Sequence, residues 1–177
     1  MSNITEALRE EHQTLLPHMD DLRVIADRLD EMPRHEVCRS LDGVYQFLTF
    51  RLLPHAAAEE DTLYPAVAKI LGSPRATATM SRDHVELSRL TEQLGWLRSQ
   101  GTPLDPEQVK NLRRLLYGLH TLLKVHFAKE EEIYWPLLAN RLRGSKANRL
   151  CRKIRQRSPQ HRRHASAKAR RSSSRLR

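Results

Sequence analysis

The sequence predicts an all-α fold: an antiparallel up-down-up-down four-helix bundle followed by a basic, disordered C-terminal tail. Only six glycines occur in 177 residues, fewer than sheets joined by tight turns usually need. Apolar residues recur at alternating steps of three and four over four long segments, the period of an inward-facing helical seam. The connections between these segments are short, which favours antiparallel neighbours.

The first two helices are predicted over about residues 3–31 and 34–71. Met32-Pro33 separates them, and Gly72-Ser-Pro ends the second. Prolines inside both segments are expected to kink them, because proline has no amide hydrogen to donate. The seam of the first helix is Leu8, His12, Leu15, Met19, Leu22, Ala26 and Leu29.

The third helix is predicted over about residues 75–98 and the fourth over about 106–142, with a turn at Gly101-Thr-Pro between them. Beyond Gly144 the apolar pattern gives way to Arg, Lys, Ser and His, although Leu150 and Ile154 are compatible with a helical extension. We therefore predict a helical domain over 1–143 and a tail over 144–177.

The formal net charge of +10 is unevenly distributed. Residues 141–177 contain 15 Lys and Arg and no acidic residue, whereas the remaining chain contains 16 basic and 21 acidic residues. The 144–177 tail is either a solvated extension or a polycation that binds polyanions through phosphates without sequence preference. It has no aromatic residues for base stacking.

The bulk features predict a cytoplasmic protein without membrane partners. Cys38 and Cys151 form neither a disulfide framework nor a CxxC motif, a usage typical of a reducing compartment. No apolar run of 18 residues occurs, and the N-terminus lacks the pattern of a signal peptide.

The two helical pairs repeat one another. The first-helix His recurs after 72 residues, and the H-x-x-x-E of the second helix recurs after 71, together with its following acids and proline. The matched pairs are His12 and His84, His55 and His126, Glu59 and Glu130, Glu60 and Glu131, and Pro65 and Pro136.

The repeated His and Glu residues predict a metal site in the core. Residues at i and i+4 of a helix share one face, so each H-x-x-x-E directs both side chains to the same inward point. Buried carboxylates need a partner, and imidazole with carboxylate suits iron, manganese or zinc. Two carboxylates can bridge two ions that take two His each, which leaves open positions for O₂, peroxide or NO.

The order H…HxxxE…H…HxxxE, with a second acid after each Glu and a closing aromatic-Pro pair, resembles the hemerythrin-like (HHE cation-binding) domains over about residues 5–140. The resemblance implies a four-helix bundle around two non-haem Fe ions with an oxo or hydroxo bridge; Zn and Mn are the alternatives. It implies His12, His55, His84 and His126 as terminal ligands, and Glu59 and Glu130 as bridges.

The classical oxygen carriers of that family have a fifth His where this chain has Ser88. Ferritin-like and zincin motifs, ExxH and HExxH, are absent. We therefore expect a metal-binding protein that binds, senses or reacts with a small diatomic or peroxide ligand. The alternatives are a peroxide- or NO-consuming enzyme, catalase-like or NO reductase, with no assigned catalytic residue, and an iron-responsive module that associates with nucleic acid through its tail.

Other polar and aromatic residues near the repeat receive secondary interpretations. The remaining acids are expected either at the surface or as groups that support the ligand residues, and not as direct ligands: Glu60, Asp61, Glu131 and Glu132. Tyr45 and Tyr117 are candidate hydrogen-bond donors beside the site. Tyr64 and Trp135 are expected to pack at the end of the bundle, and His18 and His120 are expected outside the site.

Overall fold

A computed structural model describes residues 4–100, 105–142 and 144–157. All regular structure in these ranges is helical, without any strand, which confirms the predicted all-α class. The elements are α1 (Ile4–Arg28), α2 (Arg34–Phe47), a π-helix (Leu48–Leu52), α3 (Leu53–Asp61), α4 (Leu63–Leu71), α5 (Ala78–Ser99), α6 (Pro106–Lys129), a π-helix (Glu130–Tyr134), α7 (Trp135–Arg141) and α8 (Ser145–Arg157).

Local sequence explains where several helices begin and end. Asp105 caps α6: its side chain accepts the Gln108 amide at 2.8 Å, and the Gln108 side chain accepts the Asp105 amide at 2.9 Å. Pro106 occupies the first turn, where its missing N–H is not needed. Gly72 ends α4 at φ 68°, in the left-handed region that glycine enters without strain.

Three prolines coincide with the irregular turns of the second and fourth segments. Pro54 and Pro136 each lie two positions after the last residue of a π-helix. Pro65 lies three residues after Thr62, whose φ of −132° separates α3 from α4. Because a proline cannot donate to the carbonyl four residues earlier, the preceding turn opens. Pro54 therefore gives the second segment a π-helix before His55 that the corresponding stretch of α6 lacks.

The apolar seams form two clusters of buried residues, one on each side of the repeated His and Glu positions. The larger one, here called the central core, contains Leu15, Leu52, Leu87 and Leu123 among its members. The smaller one, here called the end core, is built by Leu8, Leu63, Tyr64, Val67, Met80, Tyr134, Trp135, Leu138, Leu150, Cys151 and Ile154.

The helices pack so that both halves of the repeat meet. α1 packs against α6, and α5 packs against α2, α3 and α6. α4 contacts α7, and α8 contacts α1 and α3. No helix within the described residues is long and apolar enough to cross a membrane.

Helical structure continues beyond the predicted boundary at residue 143, in the stretch that is compatible with a helical extension. Residues 145–157 form α8, and Leu150, Cys151 and Ile154 are buried in the end core. Spacings of three and four put these residues on one side of the helix, so a short basic segment still presents an apolar face. The rest of the predicted disordered tail, 158–177, lies outside the described residues.

We predict that α8 contributes to stability. Ile154→Ala should lower the free energy of unfolding by about 2–4 kcal/mol, because it leaves a cavity in the end core. Lys153→Ala, at an exposed neighbouring position, should change it by less than about 0.5 kcal/mol. Urea denaturation measures both. Equal effects of the two substitutions would contradict the docking of α8.

Candidate metal centre

The structure buries all six predicted ligand residues between the central core and the end core. Their side chains are 0–9% exposed, and Glu130 is fully buried. Along α1, the segment α2 to α4, α5, and the segment α6 to α7, the ligand positions lie between apolar residues of the central core and apolar residues of the end core. The six residues are His12, His55, Glu59, His84, His126 and Glu130.

The donor atoms form two overlapping groups, each within 4.8 Å. The first contains His12, His55, Glu59 and Glu130, and the second contains Glu59, His84 and His126. Each group takes both of its His from one half of the repeat and at least one carboxylate from the other half. The Nε2 atoms of His84 and His126 lie 3.1 Å apart.

Each buried carboxylate spans the two His pairs. Glu59 places Oε1 at 3.1 Å from His55 Nε2 and Oε2 at 3.4 Å from His84 Nε2. Glu130 places Oε2 at 3.3 Å from His12 Nε2 and Oε1 at 3.6 Å from His126 Nε2. Each oxygen therefore faces a different His pair, which is the arrangement that a bridging carboxylate needs.

An outer ring of four carboxylates faces the other nitrogen of each His. A carboxylate ion only accepts hydrogen bonds, so Nδ1 carries a proton, and Nε2 directs its lone pair toward the centre whenever the imidazole is neutral. The Nδ1–oxygen distances are 2.8 Å for His12 and Glu131, 3.2 Å for His55 and Glu11, 2.9 Å for His84 and Glu60, and 3.0 Å for His126 and Asp83.

Glu60 and Glu131 support ligand residues, one of the two roles predicted for these acids, because each turns back to a His of a neighbouring helix. Ser81 Oγ also donates to Glu60 Oε2 at 2.9 Å. Asp61 and Glu132 are exposed. The sequence interpretation missed Glu11 and Asp83, although the 72-residue offset that relates His12 to His84 also relates these two acids.

Tyr64 reaches the centre, so its predicted role as end packing is incomplete. Its hydroxyl donates to Glu130 Oε1 at 2.9 Å and lies 3.3 Å and 3.4 Å from the Nε2 atoms of His84 and His126. Burial, followed by the nearby carboxylates, raises the pKa of Tyr64, so its phenol is protonated in the metal-free protein. Trp135, at the matching repeat position, packs its ring 4.7 Å from His12.

The remaining candidates lie elsewhere. Tyr117 donates to Asp27 on the surface, and Arg98 lies 4.4 Å above the ring of Tyr45. His18 accepts from Arg51 at 2.6 Å, and His120 lies 3.8 Å from Asp20. The two tyrosines are therefore not donors to the centre, and the two histidines lie outside it, as predicted.

The charges of the centre are strongly coupled. Burial alone would lower the pKa of His55, but Glu59 and Glu11 raise it well above its ordinary value. Burial likewise opposes ionisation of Glu59, yet His55 and His84 hold its pKa well below the usual range. The pKa values of His12 and His84 are raised for the same reason, with neighbouring carboxylates outweighing burial.

The inner atoms fit a cation. Within the described residues, five buried donor or acceptor atoms of the cluster have no hydrogen-bond partner, although His and Glu atoms lie 3.1–3.4 Å apart there. Those contacts lie within ion-pair distance but lack hydrogen-bond geometry. Such atoms are costly to bury unless something else binds them. They are His12 Nε2, His55 Nε2, both oxygens of Glu59, and Glu130 Oε2.

A family model agrees with this geometry. The hemerythrin HHE cation binding domain matches residues 3–138, and a second, overlapping match covers residues 77–167. The chain belongs to this family. Its HHE domain contains a buried His and Glu cluster able to hold metal, and the overlap of the matches is the second half of the repeat. No curated protein and no solved structure matches the chain.

We predict that the outer ring supports metal affinity. Glu131→Gln should weaken metal binding about 10–100-fold, because it removes the anionic acceptor that orients His12. Glu132→Gln makes the same charge change one residue later on the surface and should have little effect. Competition with a chelator of known affinity measures both. Equal affinities would show that the ring is dispensable.

Metal uptake should release protons. Below the raised pKa values of His12, His55 and His84 these imidazoles hold a second proton, which a metal ion must displace. Apparent affinity should therefore rise with pH until these groups are neutral. Calorimetry at pH 7 in two buffers of different ionisation enthalpy counts the protons. A count of zero, or one that changes in His120→Ala, would contradict this assignment.

Proposed function

We propose that the chain is a non-haem di-iron protein that binds, senses or reacts with O₂, peroxide or NO. One observation carries the proposal: two buried carboxylates, Glu59 and Glu130, each face both His pairs. A single ion needs only one of the two groups. Two overlapping groups that share a carboxylate match a centre for two ions.

The proposal includes the bundle that would hold this centre. We infer that α1, the segment α2 to α4, α5, and the segment α6 to α7 run up-down-up-down as four helices. The contacts of α1 with α6 and of α5 with α2 and α6 are compatible with that order. Four helices around one axis would direct every seam to the same buried layer.

Iron suits the donor set better than zinc or manganese. The centre offers imidazole nitrogens together with carboxylate oxygens, the combination typical of non-haem iron sites. When bound, two iron ions supply electrons and open coordination positions to a small ligand. The protein residues hold the ions, keep the site within an apolar core, and fix the imidazole orientation through the outer carboxylates.

The second group is the expected place for the exogenous ligand. It has three His and Glu residues where the first group has four. Ser88, at the position of the classical fifth His, donates its hydroxyl to the His84 carbonyl at 3.1 Å and adds no ligand. Incomplete protein coordination is what permits an external molecule to bind.

A small cavity supports a small ligand. It has a volume of about 10 Å³ and is lined by His55, His84 and His126 on one side. Leu52, Leu87, Leu122, Leu123 and Phe127 form its apolar wall. This space is close to the minimum that one water molecule needs, so it has room for about one heavy atom and excludes large ligands.

Turnover of peroxide or NO is a second candidate, favoured by Tyr64. Its protonated hydroxyl lies within 3.4 Å of both His of the second group and can donate a hydrogen bond to a ligand there. If the protein turns over these ligands, it should evolve oxygen from peroxide, or consume NO, faster than free iron does. Tyr64→Phe should slow that turnover and leave metal content unchanged.

Metal content tests the proposal directly. Purified protein should contain about two irons per chain, and Glu130→Ala should lose both because this residue faces both pairs. His120→Ala, a His outside the centre, should retain them. Elemental analysis measures the content, and an ultraviolet spectrum that changes with NO reports the open position. A single zinc in wild type, or full iron in Glu130→Ala, would refute the di-iron centre.

A further inference from the structure

The outer face of α8 carries positive charge alone. Lys146, Arg149, Arg152 and Lys153 are all exposed, and α8 contains no acidic residue. Steps of three and four place these side chains along one continuous stripe. Among the described residues none of the four has an ion-pair partner.

This stripe differs from the helical body in its concentration of charge. Several arginines of the body meet a carboxylate, at N–O distances of 2.6–2.9 Å. These pairs are Arg23 with Asp27, Arg89 with Glu86, Arg98 with Asp42, and Arg113 with Asp30. The stripe instead places four exposed basic residues on a 13-residue helix that contains no acidic residue, so it is a local excess of positive charge.

The opposite side of α8 is already in use. Leu150, Cys151 and Ile154 are buried in the end core beside Leu8 and Trp135. A basic helix that binds a membrane inserts its apolar side between lipids. α8 cannot do so while it stays docked, which leaves only its charged face for a partner.

We propose that the outer face of α8 binds the phosphate backbone of double-stranded nucleic acid without sequence preference. The helix has 13 residues and is about 20 Å long, while a duplex presents one phosphate charge per about 1.7 Å of axis. The face carries no aromatic residue for stacking on bases. This inference does not rest on the identity of the bound metal.

The chain beyond α8 has the same charge. Residues 158–177 contain seven further Lys and Arg and no acid. Those residues can add affinity, so an experiment must separate their contribution from that of α8. The salt dependence of binding does so, because each phosphate contact contributes its own increment of about 0.9 to the slope of log K against log salt.

The test uses the full chain and a 20-base-pair duplex at several salt concentrations. Replacing Lys146, Arg149, Arg152 and Lys153 by Gln should reduce the slope by about 3–4 and weaken binding. The matched control removes four exposed, unpaired charges from α4, α5 and α6, and its slope should change by less than about 1. The control positions are Lys69, Arg82, Arg114 and Lys124.

Equal slopes for the two variants would overturn the proposal, because the effect would then be one of net charge. Tighter binding to anionic vesicles than to the duplex, at equal phosphate concentration, would also overturn the proposal, because the partner would then be a membrane surface. Gln is a good helix former, and unchanged urea midpoints should show that α8 stays docked. If the fourfold variant unfolds, the single Arg149→Gln and Lys153→Gln variants decide, each with an expected slope reduction of about 0.9.

Discussion

The burial of four imidazoles and two carboxylates inside a leucine-rich core is the constraint on which the rest of this structure depends. Such groups destabilise a core unless each polar atom is bound. The protein satisfies the outer nitrogens with a ring of acids and leaves five inner atoms without hydrogen bonds: Nε2 of His12 and His55, both oxygens of Glu59, and Oε2 of Glu130. The outer ring thereby orients the imidazoles, and the inner atoms define the space that a cation would fill.

Periodicity predicted the helices and the repeat predicted the six inward residues, because both depend only on spacing along one helix. The outer acids depend on contacts between helices, which spacing does not specify. The prediction for Tyr64 was incomplete because the irregular residue Thr62 precedes it, and the spacing of a regular helix does not anticipate such a break. In the sequence, three apolar residues of α8, including Leu150 and Ile154, are too few to distinguish a docked helix from a basic tail. Their burial becomes evident only from their packing in the end core.

The two halves differ where their chemistry should differ. Tyr64 gives the centre a hydroxyl, whereas Trp135 gives it an apolar ring and an indole nitrogen that has no hydrogen-bond partner among the described residues. Asp83 is held by Lys129 as well as by His126, and the repeat position of Lys129 is occupied by Ala58. The surroundings of His84 and His126 are thus more polar than those of His12 and His55. The duplicated ligand pattern therefore does not produce two equivalent metal positions.

Each donor group draws on both halves of the chain: Glu130 completes the first group, and Glu59 completes the second. An ion in the first group would therefore cross-link residues up to 118 positions apart in sequence, and an ion in the second group residues up to 67 positions apart. Neither helical pair could open without releasing metal from the other. Two halves that resemble separate units would then unfold as one cooperative unit, and the lifetime of the folded chain would be set by the dissociation of its ions.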